Sequence, residues 1–430
     1  MIPQLQATLL TLPFEILVKI LSHACTDDGA TGRVLTRVCK PVRALCLSTS
    51  VDIQSVGVDG VRKMDGFLEV LKGREEGTRR VKALRLEEPE EDEWEEHEEE
   101  EEEGIPAQDP RVQVTSILRT ISSSHLLILS LTYPYVYGQP PDTPSYPLLP
   151  LPLPLSASAP ASKADVVFPN LCDLTLHGPF ERDSFEHAYT DYAPRLRRFA
   201  LSGYAYLPPT FGELLHTWFP ALEELWLEVT HGGYGYASEE GERGEETVLG
   251  MAERFCGVDD QAGAQSSSEG VHLRLMTLVY QPTNSFAKGT GRLLQAYAAH
   301  LEAYVRLAER VSAEAEAEAE VEIHRFPSYK PGMKDSWHHV DPRGARAWLV
   351  EAFGRFFARR EEGEEKEDVL AARSTGFEEG GPGSGRKKRL VVYPGPVVAL
   401  RGELPEVHRA MERDRRRLWL ERRDGVLGSS

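Results

Sequence analysis

The chain has 430 residues, 41% of them hydrophobic, which is enough for two or three ordinary domains or one elongated repeat array. No apolar run is long enough to span a bilayer and no basic segment opens the chain, so we expect neither a membrane protein nor a secreted one. The net charge of −19 is largely local, since residues 87–103 hold fourteen acidic side chains and no Lys or Arg, and removing them leaves −5.

The number and spacing of the cysteines also limit the possible class of protein. There are five, Cys25, Cys39, Cys46, Cys172 and Cys256. An odd count without close paired spacing favours neither a disulfide framework nor a zinc site. It fits a reducing compartment, and we therefore expect a cytoplasmic or nuclear protein.

The first predicted element is a helix with one apolar stripe. Leucine and isoleucine recur at helical spacing at Leu12, Ile16, Leu17, Ile20 and Leu21. Pro13 can open this helix, because its missing N–H would have no partner in the first turn. So short a module cannot bury the stripe by itself.

The helix opens with Leu12-Pro13-Phe14-Glu15-Ile16-Leu17, and Val38-Cys39-Lys40 follows downstream. These two segments together resemble an F-box. The resemblance implies docking onto the Skp-family adaptor of a cullin ubiquitin ligase. Two positions depart from that family: Val42 stands where tryptophan is usual, and Pro41 would kink a helix unless it falls in the first turn. The residues predicted to contact the adaptor, or to shape the surface that does, are Leu12, Pro13, Ile16, Leu17, Ile20, Leu21, Val38 and Leu45. The alternative to adaptor docking is an amphipathic helix that only packs on its own domain.

A short pattern recurs six times after the F-box-like segment: an apolar residue, then two more at positions +3 and +5. The copies are Val81, Leu84, Leu86; Leu126, Leu129, Leu131; Leu171, Leu174, Leu176; Leu196, Phe199, Leu201; Leu222, Leu225, Leu227; and Leu273, Met276, Leu278. The last two positions of each copy have the period of a strand. Starts at 171, 196 and 222 lie 25 and 26 residues apart, within the range of leucine-rich repeats.

Helical stripes precede several of these strands. They are Met64, Phe67, Leu68, Leu71 before the first copy, Val114, Ile117, Leu118, Ile121 before the second, and Phe211, Leu214, Leu215, Trp218 before the fifth. We expect one helix to cover each strand, so that stacked units bury a continuous core. Further strands are predicted at 321–326 and 390–393.

The predicted fold class is α/β, with an F-box-like helical module at 1–50 and an irregular leucine-rich-repeat-like solenoid at 51–400. The resemblance is to the repeats that follow many F-boxes, especially the degenerate ones of large fungal families. Leucine-rich repeats usually have an asparagine or cysteine three residues after the last leucine of the pattern. This chain has Pro179, Tyr204 and Thr230 at those positions. A Rossmann-like α/β domain is the alternative.

Composition predicts four inserts and a basic tail. The inserts lie at about 87–110, 138–166, 231–270 and 361–388, where Glu, Pro, Gly or Ser dominate. The arginine-rich segment 401–430 is predicted to be a helix or tail that caps the last repeat, binds the acidic tract or touches nucleic acid; capping is what every solenoid requires.

These features favour a protein-binding function over catalysis. No phosphate-binding loop, HExxH motif or nucleophile elbow occurs, so we expect no enzyme, no cofactor and no metal. The leading hypothesis is a substrate-recognition subunit of an SCF-type cullin ubiquitin ligase that binds an unknown target protein, with no membrane partner and no nucleic acid favoured. The alternative is a ligase-independent α/β-repeat scaffold.

Overall fold

The computed structural model describes residues 12–27, 29–87, 110–133, 168–178, 193–204, 211–231, 239–256, 273–282, 290–313, 319–323 and 388–394, together with Leu420 and Arg423. These residues form an α/β fold. The helices are α1 (Phe14–Ala24), α2 (Ala30–Val38), α3 (Lys40–Thr49), α4 (Val61–Lys72), α5 (Pro110–Thr120), α6 (Phe211–Trp218), α7 (Glu239–Cys256) and α8 (Thr290–Ala313). The strands are β1 (Ser55–Asp59), β2 (Ala83–Glu87), β3 (Ile128–Thr132), β4 (Asp173–His177), β5 (Arg198–Tyr204), β6 (Glu224–His231), β7 (Leu275–Pro282), β8 (Ala319–Ile323) and β9 (Lys388–Pro394).

Local sequence explains the three N-terminal helices. The Pro13 carbonyl accepts the Leu17 N–H at 3.0 Å and so closes the first turn of α1. Before α2, the Asp27 carboxylate accepts the backbone N–H of Thr31, in the first turn of the helix, at 2.9 Å. Cys39 is extended and ends α2, and Pro41 falls in the first turn of α3. Because that turn leaves its N–H groups unbonded, Pro41 opens α3 rather than kinking it.

All nine strands belong to one parallel sheet. Strands β1 to β7 lie side by side in chain order, and β9 then separates β7 from β8. The six predicted copies are strands β2 to β7, so the period-2 prediction of strands is confirmed. Equivalent apolar residues pair directly across the sheet, as Leu84, Leu129 and Leu174 do.

A repeated backbone junction holds neighbouring strands in register. The Gln54 carbonyl, just before β1, accepts the N–H groups of Lys82 at 2.8 Å and Ala83 at 2.9 Å, at the start of β2. The same carbonyl-to-two-amide contact recurs before β2 to β6, at Lys82, Leu127, Cys172, Arg197 and Glu223. Backbone groups thus make this junction, which does not depend on the side chain at the position of the missing asparagine.

Helices α4 to α8 cover one face of the sheet. Their buried apolar residues and the leucines of the strands form a single cluster, in which Trp218, Phe199 and Phe219 are the bulkiest members near β5 and β6. A doubly wound domain reverses its strand order and places helices on both faces. Strands β1 to β7 show no such reversal, and helices α4 to α8 share one face, so this part of the chain does not have the Rossmann-like arrangement that was the alternative.

One predicted insert is wrong in part. Residues 239–256, within the stretch predicted as a loop at 231–270, form α7. The helix packs through Val248, Met251, Ala252 and Phe255, which are buried in the sheet cluster. Most of the inserts at 87–110, 138–166 and 361–388 lies outside the described residues.

Two residues near the end of the chain contact the first strands. Leu420 and Arg423 have helical backbones and contact the first strands, at Ala83, Ile128 and Ser55. These two residues therefore lie on the first strands and not on the last repeat; the rest of the segment predicted at 401–430 lies outside the described residues. Among the helices of the described ranges, none combines the length and apolarity needed to cross a bilayer.

Candidate protein-docking surface

The apolar stripe of α1 is divided between the interior and the surface. Leu17 and Leu21 are buried, with 6% and 2% of their surface exposed. Ile16 and Ile20 lie on the same helix with 45% and 40% exposed. Only half of the stripe is therefore used to hold the module together.

The buried half belongs to a small core of its own. This core consists of Leu17, Leu21, Val42, Leu45, Cys46 and Val51. Val42, which stands where the resembling family usually has tryptophan, is 4% exposed and packs inside. Val51 comes from the 3₁₀ turn Val51–Ile53 that leads into β1, so the module core continues toward the sheet.

The exposed half extends over all three helices. We define the exposed apolar set as Phe14, Ile16, Ile20, Val34, Val38 and Leu47. It holds six of the eight large hydrophobic side chains that are exposed in the described residues; the other two are Val70 and Val112. Single exposed apolar residues are ordinary, but these six fall within 34 positions, and Ile16 with Ile20, and Val34 with Val38, share a helix face, which makes the module the candidate protein-binding surface.

The structure sorts the residues predicted from the sequence into two groups. Pro13, Ile16, Ile20 and Val38 are exposed and available to a partner, and Leu12 is half-buried. The buried residues Leu17, Leu21 and Leu45 shape the module from within. 

Sequence reasoning missed Phe14, Val34 and Leu47. Val34 lies four residues before Val38 on α2, which is the spacing of one helix face and was the available signal. Phe14 follows Pro13 directly within the resembling segment.

The same three helices carry more exposed basic than exposed acidic side chains. In residues 12–49, leaving aside Asp28, the exposed charged side chains with a cationic group are Lys19, Arg33, Arg37, Lys40 and Arg43. The exposed acidic residue of the same range is Glu15. A partner with an apolar surface and an acidic border complements this distribution.

Two polar contacts fix the module to the sheet. The Ser22 hydroxyl donates to Gln54 Oε1 at 2.7 Å, and the Gln54 amide donates back to the Ser22 carbonyl. Nearby, Arg74, two residues after the end of α4, pairs with Asp52, and both side chains are 5% exposed. The module is thus anchored on one side while its exposed apolar set remains on the surface.

The cysteines provide a chemical probe of this arrangement. Cys25, Cys46 and Cys256 are buried, whereas Cys39 and Cys172 are half-buried. Burial raises the pKa of Cys25 to about 12, that of Cys46 to about 11 and that of Cys256 to about 12.

We expect alkylation at pH 8 to modify Cys39 and Cys172 first. Because the thiolate is the nucleophile, pKa values raised by two to three units should slow the other three thiols about 100- to 1000-fold. Peptide mass spectrometry after timed exposure to iodoacetamide measures each site. Equal rates at all five sites would contradict the burial of α1 against α3.

Polar groups elsewhere in the described residues form no metal site. Within the described ranges, no group of three or more His, Cys, Asp or Glu residues is placed to hold a metal ion. His177 Nδ1 and Ser202 Oγ lie 2.7 Å apart and link β4 to β5. Comparison with protein-family models, with curated proteins and with solved structures gave no match.

Proposed function

We propose that the chain is the substrate-recognition subunit of an SCF-type cullin ubiquitin ligase, and that its N-terminal helices dock on the Skp-family adaptor. The observation that carries this proposal is the exposed apolar set, located with five exposed basic side chains in the segment that resembles an F-box. If the whole stripe packed on the chain's own domain, no adaptor surface would be left. Leu17 and Leu21 do pack in this way, whereas Ile16 and Ile20 are exposed, which supports the proposal.

The geometry suits docking without reorganisation of the module. Leu17, Leu21 and Leu45 hold the helices together, while Ile16, Ile20 and Val38 point their apolar surface outward. An adaptor that covers the latter gains hydrophobic energy, and acidic residues around its binding site would meet Arg33 and Lys40. Binding therefore does not have to unfold the internal core.

The sheet supports the second half of the proposal, a repeat array that recognises a target protein. Each strand from β1 to β7 pairs with its neighbours in the chain, and the backbone junction repeats from strand to strand. This is the arrangement expected of a leucine-rich-repeat-like solenoid. Such an array holds a target at a fixed distance from the adaptor, and the ligase then works by positioning the target's lysine.

The double substitution Ile16→Ala and Ile20→Ala should weaken adaptor binding about tenfold to a hundredfold. Fully burying one aliphatic side chain is worth about 1.5 to 3 kcal/mol, and each of these two offers less than half of its surface. Isothermal titration of the full chain with a purified Skp-family adaptor measures the change. Thermal unfolding should be nearly unchanged, because neither residue belongs to the module core.

Val70→Ala and Val112→Ala together form the matched control. Both residues are exposed aliphatic side chains on helices, 48% and 58% accessible, but they lie on α4 and α5. The control should bind the adaptor like the wild type. The docking proposal would be refuted if the wild-type chain does not bind the adaptor, or if both double variants bind it equally well. The ligase-independent scaffold would then be the remaining hypothesis.

A further inference from the structure

The segments that lead into strands β2 to β5 lie side by side at the edge of the sheet where its parallel strands begin. The first residues of these four strands pair with one another in register. The residues three positions earlier therefore occupy equivalent places on neighbouring segments, and they are Arg80, His125, Asn170 and Arg195. Since neighbouring strands are about 4.8 Å apart, this row is about 14 Å long.

Polar contacts join the four segments to one another. The side-chain amide of Asn170 donates to the Ser124 carbonyl at 2.6 Å, and its Oδ1 accepts Nη1 of Arg195 at 2.9 Å. The Arg79 carbonyl accepts the Ser122 N–H at 2.9 Å, which joins the segment before β2 to the segment before β3. These contacts hold the row in place without a partner, and this lowers the entropy cost of binding one.

The same segments carry cations and no carboxylate. Residues 79–82, 122–127, 168–172 and 193–197 contain five Arg or Lys side chains and no Asp or Glu. Burial, and then the positive charges of Arg80 and Lys82, lower the pKa of His125, so these three side chains share one electrostatic environment. We define the basic edge as the exposed or half-buried residues Arg80, Lys82, His125, Arg195 and Arg197.

Carboxylates border the basic edge without neutralising it. Glu75 and Glu76 precede it, at the start of the 3₁₀ turn Glu76–Thr78. Glu223, just before β6, lies 4.0 Å from Nε of Arg197. The Arg197 side chain is 69% exposed, and a single exposed contact at this distance leaves its guanidinium open to a further anion.

We propose that the basic edge binds an extended segment of a target protein that carries carboxylates at alternate positions. Alternate side chains of an extended chain lie about 6.8 Å apart, so three of them span about 14 Å, the length of the row. Guanidinium groups bind carboxylates through charge-assisted hydrogen bonds. A nucleic acid fits less well, because the chain has a net charge of −19 and repels a polyanion at long range.

The inference deepens the proposed function and rests on it for the role of the bound segment, which would belong to the ligase target. Its test uses no adaptor, so the two proposals can fail separately. The probe is a fluorescently labelled peptide of alternating aspartate and serine, titrated with the full chain at about 0.15 M salt and followed by anisotropy. It should bind, whereas a peptide with asparagine in place of each aspartate should not.

The double substitution Arg80→Gln and Arg195→Gln should weaken binding of the acidic peptide about tenfold. Arg33→Gln with Arg37→Gln is the matched control, since it makes the same change of charge at two exposed arginines of α2. This control should bind the peptide like the wild type. The variant of the basic edge should in turn bind the Skp-family adaptor like the wild type, because it leaves α1 to α3 unchanged.

The chain's own acidic residues 88–103 are a competitor that the experiment has to remove. They follow β2, which ends at the opposite edge of the sheet. A full chain with glycine and serine at 88–103 should bind the peptide at least as tightly as the wild type. The inference would be overturned if neither chain binds the peptide, if the two double variants bind it equally well, or if a thymidine oligonucleotide of equal charge binds more tightly.

Discussion

Asp52→Ala is expected to lower the free energy of unfolding by about 3 to 5 kcal/mol, one of the two largest effects we predict for a single substitution. The Asp52 carboxylate and the Arg74 guanidinium form a bidentate pair, with Nη1 and Oδ1 3.2 Å apart. Both side chains are 95% buried. Removing the carboxylate leaves a guanidinium without its counter-charge away from water, and urea denaturation measures the loss.

The control is an ion pair of similar geometry on the surface. Glu69 and Lys72 are 2.9 Å apart on α4, and both are mostly exposed. Glu69→Ala should change the free energy of unfolding by less than about 0.5 kcal/mol, because water solvates the remaining ammonium group. If Asp52→Ala costs no more than Glu69→Ala, the pair does not anchor the module.

Replacing both members of the pair isolates the cause. Asp52→Leu combined with Arg74→Met removes both charges and keeps apolar volume, so stability should recover most of what Asp52→Ala loses. Hydrogen exchange at residues 14–49 should then report whether the helical module stays attached. Continued loss of stability in the double variant would show that packing volume, not charge, is what matters at this site.

The strands were predictable because two independent signals coincide. Leu84 and Leu86, with Val81 before them, have strand spacing, and Met64, Leu68 and Leu71 before them have helix spacing. One such run is ambiguous, but six copies require a common geometry, and the register of β2 to β7 bears this out.

Helix α7 was missed because composition outweighed spacing. Glycine and glutamate dominate its first half, which is typical of a loop. Val248, Met251, Ala252 and Phe255 nevertheless stand at i, i+3, i+4 and i+7. Tertiary packing of that stripe on the sheet offsets the poor helix propensity of Gly241 and Gly244.

The burial of Arg85, on the sheet face opposite the leucines, could not be predicted from the neighbouring sequence. In the run Leu84-Arg85-Leu86-Glu87 the alternation predicts Arg85 on a solvated face. Arg85 is nevertheless 1% exposed and pairs with Asp59 and Glu87, and on the same face Leu420 and Arg423 contact Ala83 and Ser55, so distant in the chain that no periodicity within β2 can reveal them. The apolar stripe of α1 could be predicted from its spacing. Which half of the stripe is buried could not, because that depends on contacts with α3 and the turn after it.

Gly32→Ala is expected to destabilise the helical module by about 3 kcal/mol, the upper end of typical overpacking. A Cβ added at Gly32 would lie 2.1 Å from the backbone carbonyl oxygen of Asp52. This atom belongs to the 3₁₀ turn that precedes β1 and cannot rotate away as a side chain would. Helix α2 therefore has to move from the turn, and increased hydrogen exchange confined to residues 14–49 would measure that movement.

Gly66→Ala is the matched control for this substitution. Gly66 lies on α4, and an added Cβ would meet no atom within 4 Å. The same change should there stabilise the protein by about 0.5 to 1 kcal/mol, because alanine favours the helix. Opposite signs at the two glycines identify close approach of α2 to Asp52 as the cause. Because Val34 and Val38 lie on α2, Gly32→Ala should also weaken adaptor binding. An unchanged free energy of unfolding in Gly32→Ala would contradict the close packing of α2 on Asp52.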